Sequence, residues 1–189
     1  PQFNRAAYQH TYFLCLVAFG AIVGTYGFGG WLLETVYGAR YKASETATFW
    51  IVFQLLGMAT LNALDTVLYA RGMNKQMSMI LMSGVVAVLI GGFTLIPTMG
   101  VVGAGMTVCL VQVVVHVVEL PFLPADYRWF WIKPSLLPLT CMAAALGIIA
   151  LLKYEMPDST VLPLYGVGVM IAYFAAAGLP LARKFLLPA

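Results

Sequence analysis

Apolar residues run through this chain in long blocks, broken by short polar or turn-forming clusters. The cleanest block is Met77 to Ile96, twenty residues without a formal charge. At about 1.5 Å per residue it makes roughly 30 Å of helix, the hydrocarbon thickness of a bilayer. Arg71-Gly72-Met73-Asn74-Lys75 leads into it and Pro97-Thr98-Met99-Gly100 leads out, after which Val101 opens another apolar run. The same pattern predicts helices over Tyr8 to Leu33, Thr48 to Ala70, Val101 to Leu123, Ser135 to Leu152 and Thr160 to Ala182. The expectation is an all-α bundle of six transmembrane helices, one transmembrane domain over residues 1–189.

Composition agrees with a membrane protein. Hydrophobic residues make up 62% of the chain and charged residues 9%, against about 25% charged in soluble domains. The lipid bilayer is the first partner this implies. A net charge of +3 does not point to nucleic acid, because Lys and Arg stand singly or in pairs between apolar runs.

Those cations do set an orientation. Arg5, Arg71, Lys75, Arg128, Lys133, Arg183 and Lys184 fall on one side of the six-helix layout, and Arg40, Lys42 and Lys153 on the other. The excess of basic residues in short loops marks the cytoplasmic side, so both termini are expected there. The stretch from Pro121 to Pro134, PFLPADYRWFWIKP, reads as an aromatic belt with basic anchors. Gly20 and Gly24 form a G-x-x-x-G pair whose expected use is packing within the chain.

Signatures of catalysis are missing. No G-x-x-x-x-G-K-[ST], H-E-x-x-H, C-x-x-C or G-x-S-x-G occurs. Gly100, Gly103 and Gly105 lie between two predicted membrane helices and follow no strand, so they read as a tight turn with close packing. Cys15, Cys109 and Cys141 have no metal-type spacing and read as free buried thiols. No cofactor, metal or enzymatic activity is expected.

Two polar stripes stand out. Gln112, His116 and Glu119 fall within about 60° of one another on the fourth helix, and Gly105 and Cys109 share that face. On the second helix Gln54 and Asp65 are about 20° apart, with Asn62 some 60° further round. A carboxylate costs about 2.5–3.5 kcal/mol at a bilayer centre, so the stripes should turn away from lipid. Two readings fit. In one, Asn62, Asp65, Gln112, His116 and Glu119 line a polar cavity. In the other, Asp65 and Glu119 sit near the cytoplasmic surface and pair with Arg71, Lys75 or Arg128.

Three stretches carry a family likeness: Val36-Tyr37-Gly38-Ala39-Arg40-Tyr41, the turn from Tyr69 to Lys75, and Leu95-Ile96-Pro97-Thr98-Met99-Gly100 continuing to Gly105. In order and spacing they resemble the C-terminal part of polysaccharide-biosynthesis membrane proteins, the lipid-linked oligosaccharide flippases of the multidrug/oligosaccharidyl-lipid/polysaccharide (MOP) superfamily. The likeness covers roughly Ala21 to Glu119.

The resemblance implies the C-terminal lobe of a carrier that moves a lipid-linked oligosaccharide across a prokaryotic cytoplasmic membrane by alternating access. The partner it implies is the N-terminal lobe. It transfers no catalytic residue, since the shared motifs are turns. A start at Pro1 and a single lobe lead us to expect part of a longer polypeptide. The alternative is a structural membrane subunit of a larger respiratory or photosynthetic complex. A cation-coupled drug exporter of the same superfamily, with Asp65 as its ion site, is a third.

Overall fold

A computed structural model of the chain describes residues 2–123, 125–156 and 161–186. Those residues are helical almost throughout and contain no strand. The order is α1 (Gln2–Tyr37), a 3-10 turn (Ala39–Ser44), α2 (Glu45–Ala70), α3 (Asn74–Glu119), a second 3-10 turn (Leu120–Phe122), α4 (Ala125–Glu155) and α5 (Leu162–Leu186). Among the described residues, four segments are long and apolar enough to cross a membrane: Tyr8–Tyr37, Asn74–Phe122, Lys133–Glu155 and Leu162–Pro180. The span expected at 48–70 falls in α2, where several side chains lie outside the described residues.

The chain divides into two compact units, residues 1–45 with 134–189, and residues 46–133. In the first unit, α1 buries Thr11, Tyr12, Cys15, Leu16, Phe19, Ile22 and Val23, a helical stripe, while Phe13 and Val17 stay exposed. Its partner α5 runs antiparallel. A carbon added at Gly24 would lie 2.9 Å from the Met170 sulfur, and one at Gly27 would lie 3.1 Å from Gly166 Cα. Gly20 likewise has no room for a side chain beside Phe174. The G-x-x-x-G pair therefore packs within the chain, as expected.

Two buried tyrosines cross-link this pair in opposite directions. The Tyr173 hydroxyl donates to Leu16 O at 3.0 Å, and the Tyr12 hydroxyl donates to Ala177 O. On α4, Pro138, Met142, Ala145 and Ile149 form one buried face, and Ile149 reaches the backbone of α1 at Gly27.

At one end of this unit Lys153 Nζ lies 3.0 Å from Glu45 Oε1 and 4.5 Å from the centre of the Tyr26 ring. The Glu45 carboxylate rests against Gly30, where a side chain would collide with it.

In the second unit α3 is not one straight rod. Forty-nine residues from Asn74 to Phe122 would measure about 73 Å as a single helix, more than twice a bilayer core. Gly100 interrupts it with φ 57° and ψ −130°, a conformation that a Cβ disfavours. The two limbs, 74–99 and 101–119, fold back on each other. Gly84 faces Val115, Gly91 faces Thr107, and Gly103 faces the Leu95 carbonyl, so the numbering runs in opposition along the contact. Gly72, at φ 70°, makes the corner between α2 and α3. Leu68, Met77, Ile80, Val115 and Leu123 form the core beside that corner.

Some boundaries differ from the sequence pattern. α1 continues past Leu33 to Tyr37, a 3-10 turn follows over Ala39–Ser44, and α2 already begins at Glu45. The first limb of α3 runs past Pro97 to Met99. The aromatic stretch before Pro134 is helical from Ala125, with Pro134 and Pro138 inside α4. A proline removes one backbone donor, and neighbouring packing makes this tolerable in apolar helices. Here both rings are fully buried.

Candidate functional site

The polar stripes meet in the second unit. There α2 and the second limb of α3 run parallel: Trp50 and Ala47 lie against Gly105, and Gly57 lies against Gln112. The Cys109 thiol donates to Trp50 O at 3.0 Å. Gly105, Cys109 and Gln112 thus face α2, and His116 and Glu119 follow on the same stripe.

Gly57 decides where Gln112 goes. A carbon on Gly57 would stand 2.7 Å from Gln112 Cβ and 2.8 Å from Oε1, so only a bare backbone lets the amide lie across α2. Among the described residues the buried Oε1 atoms of Gln54 and Gln112 have no hydrogen-bond donor. Gln54 Nε2 is 3.8 Å from the Met58 sulfur, a weak contact.

His116 Nδ1 is 2.6 Å from the Gln112 carbonyl. A carbonyl oxygen only accepts, so Nδ1 carries the hydrogen and Nε2 is the nitrogen that changes protonation. Glu119 is fully enclosed, and neither carboxylate oxygen is hydrogen-bonded to a described residue. Four residues before and after it, Val115 and Leu123 belong to the apolar core. Asp65 is half-buried and within electrostatic reach of both His116 and Glu119.

A cleft of about 310 Å³ opens beside these groups, lined by Asp65 and Gln112 with Ile80, Leu81, Gly84, Val85, Val88, Val111 and Val115. Its wall is apolar and its polar end is a carboxylate and an amide. That shape suits a chain-like apolar ligand bearing a polar group.

Of the predicted site residues, Asp65 and Gln112 line the cleft, His116 lies one turn beyond Gln112, and Glu119 is enclosed. The side chain of Asn62 lies outside the described residues. Neither Asp65 nor Glu119 forms an ion pair with a described residue; Arg71 and Lys75 are exposed, and the side chain of Arg128 lies outside the description. Sequence reading passed over Gly57 and Gly84, whose missing side chains make space for Gln112 and for the cleft. Their signal is only glycine inside an apolar helix. Among known proteins no family model, curated relative or solved structure matches this chain.

Proposed function

We propose that this chain is a six-span membrane lobe with both termini cytoplasmic, part of a carrier that moves a lipid-linked oligosaccharide by alternating access. The observation that carries the reading is the inward-facing polar stripe beside an apolar cleft. Gln112 packs against α2 and Glu119 is buried on the same stripe, while Val113 and Val117 on the same limb are exposed. An amphiphile with a polar head and a long apolar tail fits such a surface. The cleft accepts part of the tail, and Asp65 and Gln112 meet polar groups of the head. No bond is made or broken, so the activity is transport.

Three relationships support the topology. The antiparallel α1 and α5 bring the start of α1 and the end of α5 to one end of that pair, as an even number of crossings requires. The break at Gly100 turns one long apolar segment into two limbs of membrane length. The Glu45–Lys153 ion pair joins the segment after α1 to the end of α4, and both belong on the less basic, non-cytoplasmic side.

The test is reconstitution of the native protein that contains this chain. Vesicles carry a polyprenyl diphosphate bearing a fluorescent sugar, and a membrane-impermeant quencher reports the outer leaflet. The reading predicts protein-dependent loss of the protected inner-leaflet signal, diminished by Gln112→Ala. Rates equal to those of protein-free vesicles would retire it and leave the structural-subunit alternative.

A further inference from the structure

Glu119 holds a carboxyl group where nothing described answers its charge. It is 0% exposed, and among the described residues neither oxygen has a hydrogen-bond partner. Removing a polar group from water without a partner costs about 2–7 kcal/mol, and an isolated ionised carboxylate far more. In a membrane helix the usual remedies are a counter-charge, a wet cavity or a proton.

Among the described residues neither of the first two is found. From α2 the facing ionisable group is Asp65, of like charge. On its own limb His116 lies one turn back. The first limb of α3 presents Met77 and Ile80, both apolar and buried. Lys75 and Arg71 are exposed beyond that core. At the start of α4, the side chains of Asp126 and Arg128 lie outside the described residues. Glu119 is also absent from the lining of the cleft, which Asp65 reaches.

We propose that Glu119 is an intramembrane proton-binding site, loaded and unloaded through His116 and Asp65, with the proton as the carrier's coupling ion. The coupling rests on the carrier reading; the proton site does not. His116 is built for transfer, because the Gln112 carbonyl fixes hydrogen on Nδ1 and leaves Nε2 as the exchanging atom. His116 and Glu119 stand three apart on one helix, the spacing of neighbouring side chains, and Asp65 lies within electrostatic reach of both.

Transfer outward breaks the O–H bond of the Glu119 acid and forms N–H at His116 Nε2, leaving a carboxylate and an imidazolium. The imidazolium then gives its Nε2 proton to the Asp65 carboxylate and returns to neutral. One proton has moved from the enclosed site to the cleft, and one negative charge has moved the other way. Loading is the reverse.

Infrared spectroscopy of the native protein in liposomes tests this without any substrate. A protonated carboxyl shows a distinct carbonyl stretch. The proposal expects that band at neutral pH and its loss at alkaline pH. The band should not respond to exchange of sodium for N-methylglucamine, and it should be absent in Glu119→Gln. His116→Gln should keep the band and slow its shift in D₂O by roughly tenfold or more.

No band at neutral pH, a band unaltered in Glu119→Gln, or unchanged exchange in His116→Gln overturns the proposal. A band displaced by sodium at fixed pH also overturns it, in favour of a metal-cation site. If Glu119→Gln does not fold, the wild-type titration and His116→Gln still decide. Failed translocation would retire the carrier and leave the band standing; a missing band would retire the site alone.

Discussion

A carbon added to Gly166 would stand 2.8 Å from the backbone carbon and oxygen of Gly27. The two helices are therefore in backbone contact, with no side chain able to yield. Gly166→Val should force α1 and α5 apart and cost about 1–3 kcal/mol. Gly168→Ala, two residues on, meets nothing within 4 Å and should leave the melting temperature unchanged or slightly raised. Thermal unfolding of both variants in detergent checks the contrast. Equal effects would contradict the close approach.

Gly100 offers a second test of the backbone. Its φ of 57° with ψ of −130° lies in a region open mainly to glycine, where an L-residue pays roughly 1–3 kcal/mol. Gly100→Ala should be destabilising by about that amount. Gly92→Ala, on open helix surface, should be stabilising by up to about 1 kcal/mol. Denaturant titration of the two variants reads the difference, and a single uninterrupted helix would reverse the first sign.

Much of this architecture is legible in the chain, and the reasons are local. The apolar block from Met77 to Ile96 and the breaks at Gly72 and Gly100 follow from hydropathy and from residues that tolerate positive φ. The stripe of Gln112, His116 and Glu119 follows from helical spacing, and it does turn away from the exposed Val113 and Val117. Which helix receives a stripe is not a local property. Gly27 gives no sign that its counterpart is Gly166, and Gln112 gives none that Gly57 lies opposite. Burial of Glu119 was equally hidden, because spacing assigns an angle and not a depth. The aromatic stretch before Pro134 carried no backbone signal: composition suited to an interface says nothing of whether the backbone is helical, and it is helical from Ala125.

The Glu45–Lys153 pair should contribute little by itself. Each side chain is about one-third exposed, at 33% and 30%, and such pairs are worth about 0–1 kcal/mol after solvent screening. Lys153→Met should shift the unfolding midpoint slightly, and the shift should shrink as salt is raised. A loss several times larger would show that the pair, and not the glycine contacts, holds that end of the unit together.

Gln112 tests the inward stripe. With Gly57 opposite it, Gly57→Leu would drive a side chain into the space the amide occupies. Overpacking of this kind costs about 1–3 kcal/mol. Gly57→Leu with Gln112→Ala should recover most of the loss, since the smaller side chain vacates the site. Stability measured across the double-mutant cycle gives the coupling, and strict additivity would mean that the two residues do not touch.

The central claim, a membrane lobe whose basic turn is cytoplasmic and whose Gly100 break lies outside, is tested most directly by accessibility. Asn74 and Thr98 stand near opposite ends of the first limb of α3, and both are exposed. A single cysteine is placed at each position after Cys15, Cys109 and Cys141 are replaced. Intact cells are then treated with a membrane-impermeant thiol reagent. The account predicts labelling of Thr98→Cys, and labelling of Asn74→Cys only after the membrane is opened. The opposite pattern, or labelling of both positions in intact cells, would contradict it.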